Sequence, residues 1–157
     1  MISDRNEGNA GAERFCVKLL AIRPRTREEL ARRMAEKGFG PGEAEAELDR
    51  LSRSGLIDDE RFARDWIEER MRTSPRSRAM LEDELARKGV PSGVSAGALE
   101  GLEDIEVARG LVRSKLTAGE AADDKARARI FRFLAGRGFD ADTAEEAIVS
   151  ELGYGEE

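Results

Sequence analysis

Large apolar residues return along this chain at helical intervals, and they do so three times over. Phe15 and Leu20 of "ERFCVKLL" (Glu13–Leu20) align with Phe62 and Ile67 of "ERFARDWIEER" (Glu60–Arg70). A third version, "EVARGLVRSKL" from Glu106, sets Val107, Ala108, Leu111 and Val112 where the second has Phe62, Ala63, Trp66 and Ile67. Spacing of i, i+1, i+4 and i+5 lays these side chains on one helix face. A second helix follows in each copy, with the pairs Leu30 and Met34, Leu81 and Leu85, Ile130 and Leu134. A third is marked by Ala44, Leu48 and Leu51 in the first copy and by Ala144, Ile148 and Leu152 in the last. Its middle counterpart, "PSGVSAGALEGLE", carries Gly93, Gly97 and Gly101. Each glycine costs about 1 kcal/mol against alanine inside a helix, so this helix is expected to be short.

The second helices stop on a common phrase: Lys37-Gly38-Phe39, Lys88-Gly89-Val90 and Arg137-Gly138-Phe139. A left-handed residue after the last turn favours glycine, and the apolar residue beyond it closes back on the helix, pairing Met34 with Phe39, Leu85 with Val90 and Leu134 with Phe139. Thr26 with Glu29 reads as a capping box, Ser74 before Pro75 as an N-cap, and Asp123 or Asp124 as the cap of the third copy. Asp58-Asp59 ahead of "ERF" reads as helix-terminal caps rather than a metal site.

The predicted fold is therefore all-α: three tandem three-helix repeats forming an elongated helical array. The repeats span residues 12–57, 58–102 and 103–152, between a flexible N-terminal tail, 1–11, and a C-terminal tail, 153–157. The insertion "TAGEAADD" (Thr117–Asp124) is expected to be a loop or hinge.

Composition narrows the chemistry. With 157 residues, no histidine and one cysteine, Cys16, the chain holds no intrachain disulfide, no zinc constellation and no Cys-His or Ser-His catalytic pair. No glycine-rich phosphate loop or nucleophile elbow occurs, so the protein is read as a non-enzyme without metal or cofactor. No apolar run reaches membrane-spanning length and no secretory segment opens the chain, which predicts a cytoplasmic protein with no membrane partner. Cys16 stands where Ala63 and Ala108 stand in the other copies and is expected to be small and buried; Trp66, four residues after Phe62, is expected in the core. One of Phe131 and Phe133, flanking Arg132, is expected to be partly exposed.

"GLIDDERFARDWIEERM" (Gly55–Met71), "LEDELARKGV" (Leu81–Val90) and "IFRFLAGRGF" (Ile130–Phe139) together resemble the RecX family, regulators of the RecA recombinase. The likeness runs over about residues 13–150. Its most specific part is Asp58-Asp59-Glu60-Arg61-Phe62-Ala63, followed at the right distance by Glu84-Leu85 and Lys88-Gly89-Val90. The resemblance implies a curved, three-repeat molecule that lies in the groove of the RecA–DNA filament and inhibits strand exchange and ATP hydrolysis, in recombination, DNA repair and the SOS response. It also implies as partners the RecA filament and the single-stranded DNA within it, with the chain itself a monomer. The glycine-rich third helix of the middle repeat departs from the family pattern.

Charge indicates where such a partner would sit. The net charge of −6 argues against tight binding to free duplex, because affinity for phosphate comes from Lys and Arg contacts. Yet two runs lack any acid: one holds Arg70, Arg72, Arg76 and Arg78, the other Lys125, Arg127, Arg129, Arg132 and Arg137. Guanidinium offers paired donors to phosphate or carboxylate, so these nine are the expected filament-binding residues, and charge reversal at Arg72, Arg76 and Arg78 is expected to leave stability nearly unchanged. The plainer reading is a solvated surface. The alternative function is a winged-helix-like DNA-binding transcription regulator, with Arg27–Met34 preceding a recognition helix from Glu43 to Ser52. Four acids on that helix repel a phosphate backbone, and the threefold repeat is left unexplained.

Overall fold

The computed structural model describes residues 2–155, with side chains from residue 10 onward. Met1 and residues 156–157, which the sequence reading assigns to the tails, lie outside the described residues. The helices are α1 (Ile2–Ile22), α2 (Arg27–Lys37), α3 (Pro41–Ser54), α4 (Asp59–Thr73), α5 (Arg78–Arg87), α6 (Ser92–Ala98), α7 (Asp104–Lys115), α8 (Asp124–Gly136) and α9 (Ala141–Leu152). Among the described residues there is no strand, so no wing accompanies α3. That helix buries Ala44, Glu47, Leu48 and Leu51, and its outer face carries the acids Glu45 and Asp49, which a phosphate backbone repels. The glycine-rich helix α6 is short, at 7 residues. Helix α1 departs from the sequence reading: it starts at Ile2, within the stretch read as a tail, and its buried face begins at Ala12, which is fully buried.

The chain divides into two compact units, Met1–Trp66 with Leu85–Ala98, and Ile67–Glu84 with Leu99–Glu157. The first holds a core of Ala12, Cys16, Leu19, Leu30, Met34, Ala44, Leu48, Leu51 and Ile57, with Phe15 and Phe39 packed against it. In the second, Ala108, Leu111, Val112, Ile130, Leu134, Phe139, Ala144, Ala147 and Ile148 are buried together, with Phe131 and Phe133 both half-covered against them. These are the first and third repeats. The middle repeat is shared, since the division falls inside α4 and inside α5.

All three glycine stops are left-handed, with φ of 102° at Gly38, 88° at Gly89 and 86° at Gly138. In each, the residue after the glycine donates to the carbonyl five positions back: Phe39 to Met34 (3.1 Å), Val90 to Leu85 (3.0 Å) and Phe139 to Leu134 (3.2 Å). These are Schellman closures, as the sequence predicts. Capping alone does not distinguish the copies, and their surroundings do. In the first unit the N-terminus of α2 lies on the Gly89 turn: Thr26 Oγ1 donates to the Lys88 carbonyl at 2.5 Å, and a Cβ placed on Gly89 would stand 2.6 Å from Glu28 Cβ. In the second, the N-terminus of α5 lies on the Gly138 turn: Ser77 N–H donates to the Arg137 carbonyl at 2.9 Å, and a Cβ on Gly138 would meet Ser77 Oγ at 2.5 Å and Met80 Cβ at 3.0 Å. Around Gly38 there is open space.

The same joint is tied a second time by an aspartate. Asp59 Oδ1 accepts from the Arg27 backbone N–H at 3.0 Å, and Asp104 Oδ1 accepts from that of Arg78 at 2.8 Å. Each aspartate opens the first helix of one repeat and caps the second helix of the repeat before it. Burial pushes the Asp59 carboxyl up from its ordinary range, with the Arg27 N–H opposing that push. Its neighbour Asp58 caps α4 itself through the Arg61 N–H at 3.1 Å.

The remaining caps correct the sequence reading in part. Thr26 accepts from Glu29 N–H at 3.1 Å, but the Glu29 carboxylate turns to Arg23 and Arg25 instead of closing a reciprocal box. The N-cap of α5 is Ser77, which accepts from Met80 N–H at 3.1 Å, and not Ser74. Ser74 still belongs to the end of α4, its N–H donating to the Arg70 carbonyl at 2.8 Å, while its hydroxyl serves two arginines. Asp123 caps α8 through Ala126 N–H at 2.8 Å. Cys16 is fully buried as expected, whereas Trp66 is only half-buried, stacked on Phe62 at 6.1 Å with Lys88 Nζ 5.3 Å from its ring centre.

Candidate functional site

All nine basic residues singled out in the sequence fall in the second unit: Arg70 and Arg72 at the end of α4, Arg76 in the loop that follows, Arg78 at the start of α5, four along α8, and Arg137 just past its end. Helical phase and the joint then sort them into two groups, because a charged side chain that caps a carbonyl or pairs with a buried acid is already spent. Arg76 is spent: its side chain is 12% exposed, it pairs with Glu84, and it donates to the Ser74 carbonyl at 3.0 Å and hydroxyl at 2.8 Å. Arg70 lies 3.6 Å from the same Glu84 carboxylate. Arg78 donates to the Leu99 carbonyl at 2.8 Å and to Glu82 at 3.2 Å. Arg127 gives its three donor groups to the carbonyls of Ala122, Leu152 and Gly153, holding the end of α9. Arg137 binds the Ser74 hydroxyl and stacks on Phe133 at 4.8 Å.

A smaller set remains presented. Lys125 and Arg132 are exposed and make no ion pair or hydrogen bond among the described residues; Arg72 is exposed with only Glu69, one turn back, as its partner. Arg129 stands between the two groups: it forks onto Glu120 at 2.7 and 2.9 Å and reaches the Lys115 carbonyl at 3.2 Å, yet its side chain stays 49% exposed. On α8, positions 125, 129 and 132 are spaced i, i+4 and i+7, so Lys125, Arg129 and Arg132 form one strip along a helix face. The expectation that reversal at Arg72, Arg76 and Arg78 spares stability meets an obstacle at Arg76, because reversing it puts a second acid beside the 16%-exposed Glu84 and leaves that carboxylate only the more distant Arg70.

The acid-rich third helices are partly neutralised from within. Arg27 holds Glu45 and Asp49, each at 2.7 Å, and Glu151 accepts from Arg109 at 2.8 Å and from Arg113 at 2.7 Å. Its hydrogen bond to Asp49 raises the Arg27 guanidinium further, and the hydrogen bond that Arg109 donates lowers Glu151. Among the described residues no three His, Cys, Asp or Glu side chains gather as a metal site, and no helix is long and apolar enough to cross a membrane.

Comparison with known proteins bears on the architecture. Residues 12–51, 58–99 and 103–148 match, in order, the RecX first, second and third three-helix domains. The chain belongs to the RecX family. It is 40% identical over 147 residues to the regulatory protein RecX of Mycobacterium ulcerans, covering 90% of this chain and 84% of that one. The RecX of Amycolatopsis mediterranei is 38% identical over 145 residues, covering 90% and 83%. The crystal structure of RecX from Lactobacillus salivarius superposes with a TM-score of 0.75 over 96% of this chain and 98% of its own, at 20% identity, a likeness of fold.

In this RecX chain the first unit also presents cations, of which the sequence reading overlooked Arg14, Lys18 and Lys37. Arg14 and Lys18 on α1, and Arg33 and Lys37 on α2, are exposed and unpaired among the described residues, each pair spaced i, i+4. Acid-free runs were the wrong signal for them, since acids interleave on other faces of the same helices. Marking the positions off the Phe15 and the Leu30–Met34 apolar faces would have found them.

Proposed function

We propose that this RecX chain is a cytoplasmic, monomeric regulator that binds the RecA filament on single-stranded DNA, lies along its groove and inhibits strand exchange and ATP hydrolysis. The observation that carries the reading is the ordered match of all three RecX three-helix domains over residues 12–148, joined to 40% identity with regulatory RecX proteins. The contact surface is the presented part of the basic runs: Lys125, Arg129 and Arg132 on α8, with Arg72 at the end of α4. Arg70, Arg76, Arg78, Arg127 and Arg137 act on this surface indirectly, by holding the helix ends that carry it. With 27 basic against 33 acidic side chains, free DNA is bound weakly, and the filament supplies the rest of the affinity.

Strand exchange by RecA, titrated with the parent chain and with Lys125→Glu combined with Arg132→Glu, tests this reading. The parent suppresses exchange and the double variant does so only at much higher concentration, with an unchanged melting temperature. Equal suppression by both places the contact elsewhere.

A further inference from the structure

The insertion between α7 and α8 is not loose, and the group that holds it is the central cation of the proposed contact strip. Arg129 Nη1 and Nη2 donate to Glu120 Oε1 and Oε2 at 2.7 and 2.9 Å, and Nη2 also reaches the Lys115 carbonyl at 3.2 Å. Glu120 Oε2 accepts from the Thr117 N–H at 2.9 Å, and the Glu120 N–H donates to the Thr117 carbonyl at 2.8 Å. A four-residue turn is thereby closed on itself and forked onto α8. Its neighbours on the strip, Lys125 and Arg132, have no such partner. A paired fork of this kind is the geometry in which guanidinium takes up a phosphate as readily as a carboxylate.

We infer that Glu120 is a built-in competitor for Arg129: it occupies the guanidinium until a phosphate of bound single-stranded DNA replaces it, and the exchange opens the Thr117–Glu120 turn. The inference rests on the proposed use of the α8 strip. It assigns residues 117–124 a role as a catch, where the sequence suggests a hinge. The catch is not a pH sensor at neutral pH, since the hydrogen bond from Arg129, followed by that from Thr117, holds the Glu120 carboxyl down to about 2.

Affinity for a fluorescent 30-base oligo-dT and for RecA filaments formed on it tests the exchange, using the full chain with Glu120→Gln, with Glu145→Gln as a charge-matched control on an exposed, unpaired acid of α9, and with Lys125→Glu plus Arg132→Glu. Releasing a surface fork is expected to tighten binding of Glu120→Gln to both probes by about two- to five-fold, with Glu145→Gln near the parent. Hydrogen exchange at the Thr117 and Glu120 amides is expected to quicken when the oligonucleotide binds. Equal tightening by both single variants overturns the catch, as does unchanged or slower exchange at those amides. Tightening on the filament but not on oligo-dT overturns the assignment to phosphate and points to carboxylates of the filament protein. If Lys125→Glu plus Arg132→Glu weakens binding while Glu120→Gln matches the parent, the strip stands and the catch falls; if that pair binds like the parent, the strip itself is refuted.

Discussion

Replacing each of the three phrase glycines by alanine separates the two duties this position performs. Any L-residue at the left-handed φ of Gly38, Gly89 or Gly138 costs about 1–2 kcal/mol, partly offset by the lower entropy of the unfolded alanine chain. At Gly38 nothing lies within 4 Å of the new methyl, so Gly38→Ala should cost only this, about 1 kcal/mol. At Gly89 the methyl would stand 2.6 Å from Glu28 Cβ, an atom fixed to the α2 backbone that no rotamer can move. Ordinary carbon contact lies at about 3.5–4.0 Å, so the N-terminus of α2 must retreat by about 1 Å. That overpacking costs about 1–3 kcal/mol, and the retreat pulls Thr26 from the Lys88 carbonyl, worth about another 1 kcal/mol. Gly89→Ala should therefore cost about 3–5 kcal/mol in all. Gly138→Ala should fall in the same range, because the first atom it meets, Ser77 Oγ, is the N-cap of α5 and cannot turn away without releasing the Met80 N–H. Urea denaturation followed by circular dichroism at 222 nm reads all three. A Glu28→Gly change in the Gly89→Ala background removes the atom that is struck and should recover part of the loss, giving a favourable coupling in the double-mutant cycle. Equal costs at Gly38 and Gly89, or no coupling with Glu28, would show that the phrase recurs for capping alone.

Asp59→Ala and Asp104→Ala should each cost about 1 kcal/mol as lost caps, while Asp59→Asn, which keeps the acceptor without the desolvated charge, should melt with the parent. Arg76→Glu should destabilise by about 3–5 kcal/mol, whereas Arg132→Glu should stay within about 0.5 kcal/mol, both read by urea denaturation. Because the Glu120 carboxyl is held down to about 2, what it contributes to the folded state is fully present above its ordinary range near 4.5 and lost as pH falls towards 2; the protection of the Thr117 amide, taken against the intrinsic exchange rate at each pH, should hold down to pH 4.5 and then fall. The Cys16 thiol, fully buried and pushed up to about 11 chiefly by burial, should resist alkylation at pH 8 until urea unfolds the chain.

Much of the fold was legible because each repeat states its apolar period three times, and Leu30–Met34, Leu81–Leu85 and Ile130–Leu134 can be compared with one another. What escaped the sequence was contact at a distance. Asp59 reads locally as a cap for its own helix, and only the folded chain shows it capping α2, because a carboxylate N-terminal to one helix carries no mark of a second helix 32 residues earlier. The position of Ser77 was recoverable: Pro24-Arg25-Thr26-Arg27 and Pro75-Arg76-Ser77-Arg78 are a second repeated phrase, and setting them side by side places the hydroxyl caps in register. Proline after Ser74 drew the cap three residues too early. For the basic runs, a count of arginines does not reveal which ones face carbonyls. Arg76 and Arg127 look like Arg72 and Arg132 in the sequence, and differ only in the helix ends folded against them.

Co-sedimentation with RecA filaments assembled on single-stranded DNA with a non-hydrolysed nucleotide tests the functional reading most directly, with RecA alone, the DNA alone and a duplex as parallel arms. The parent chain should sediment with the filament at moderate salt and remain mostly in solution in the other three arms. A chain that ignores the filament, or that binds free duplex as tightly as the filament, would contradict the reading.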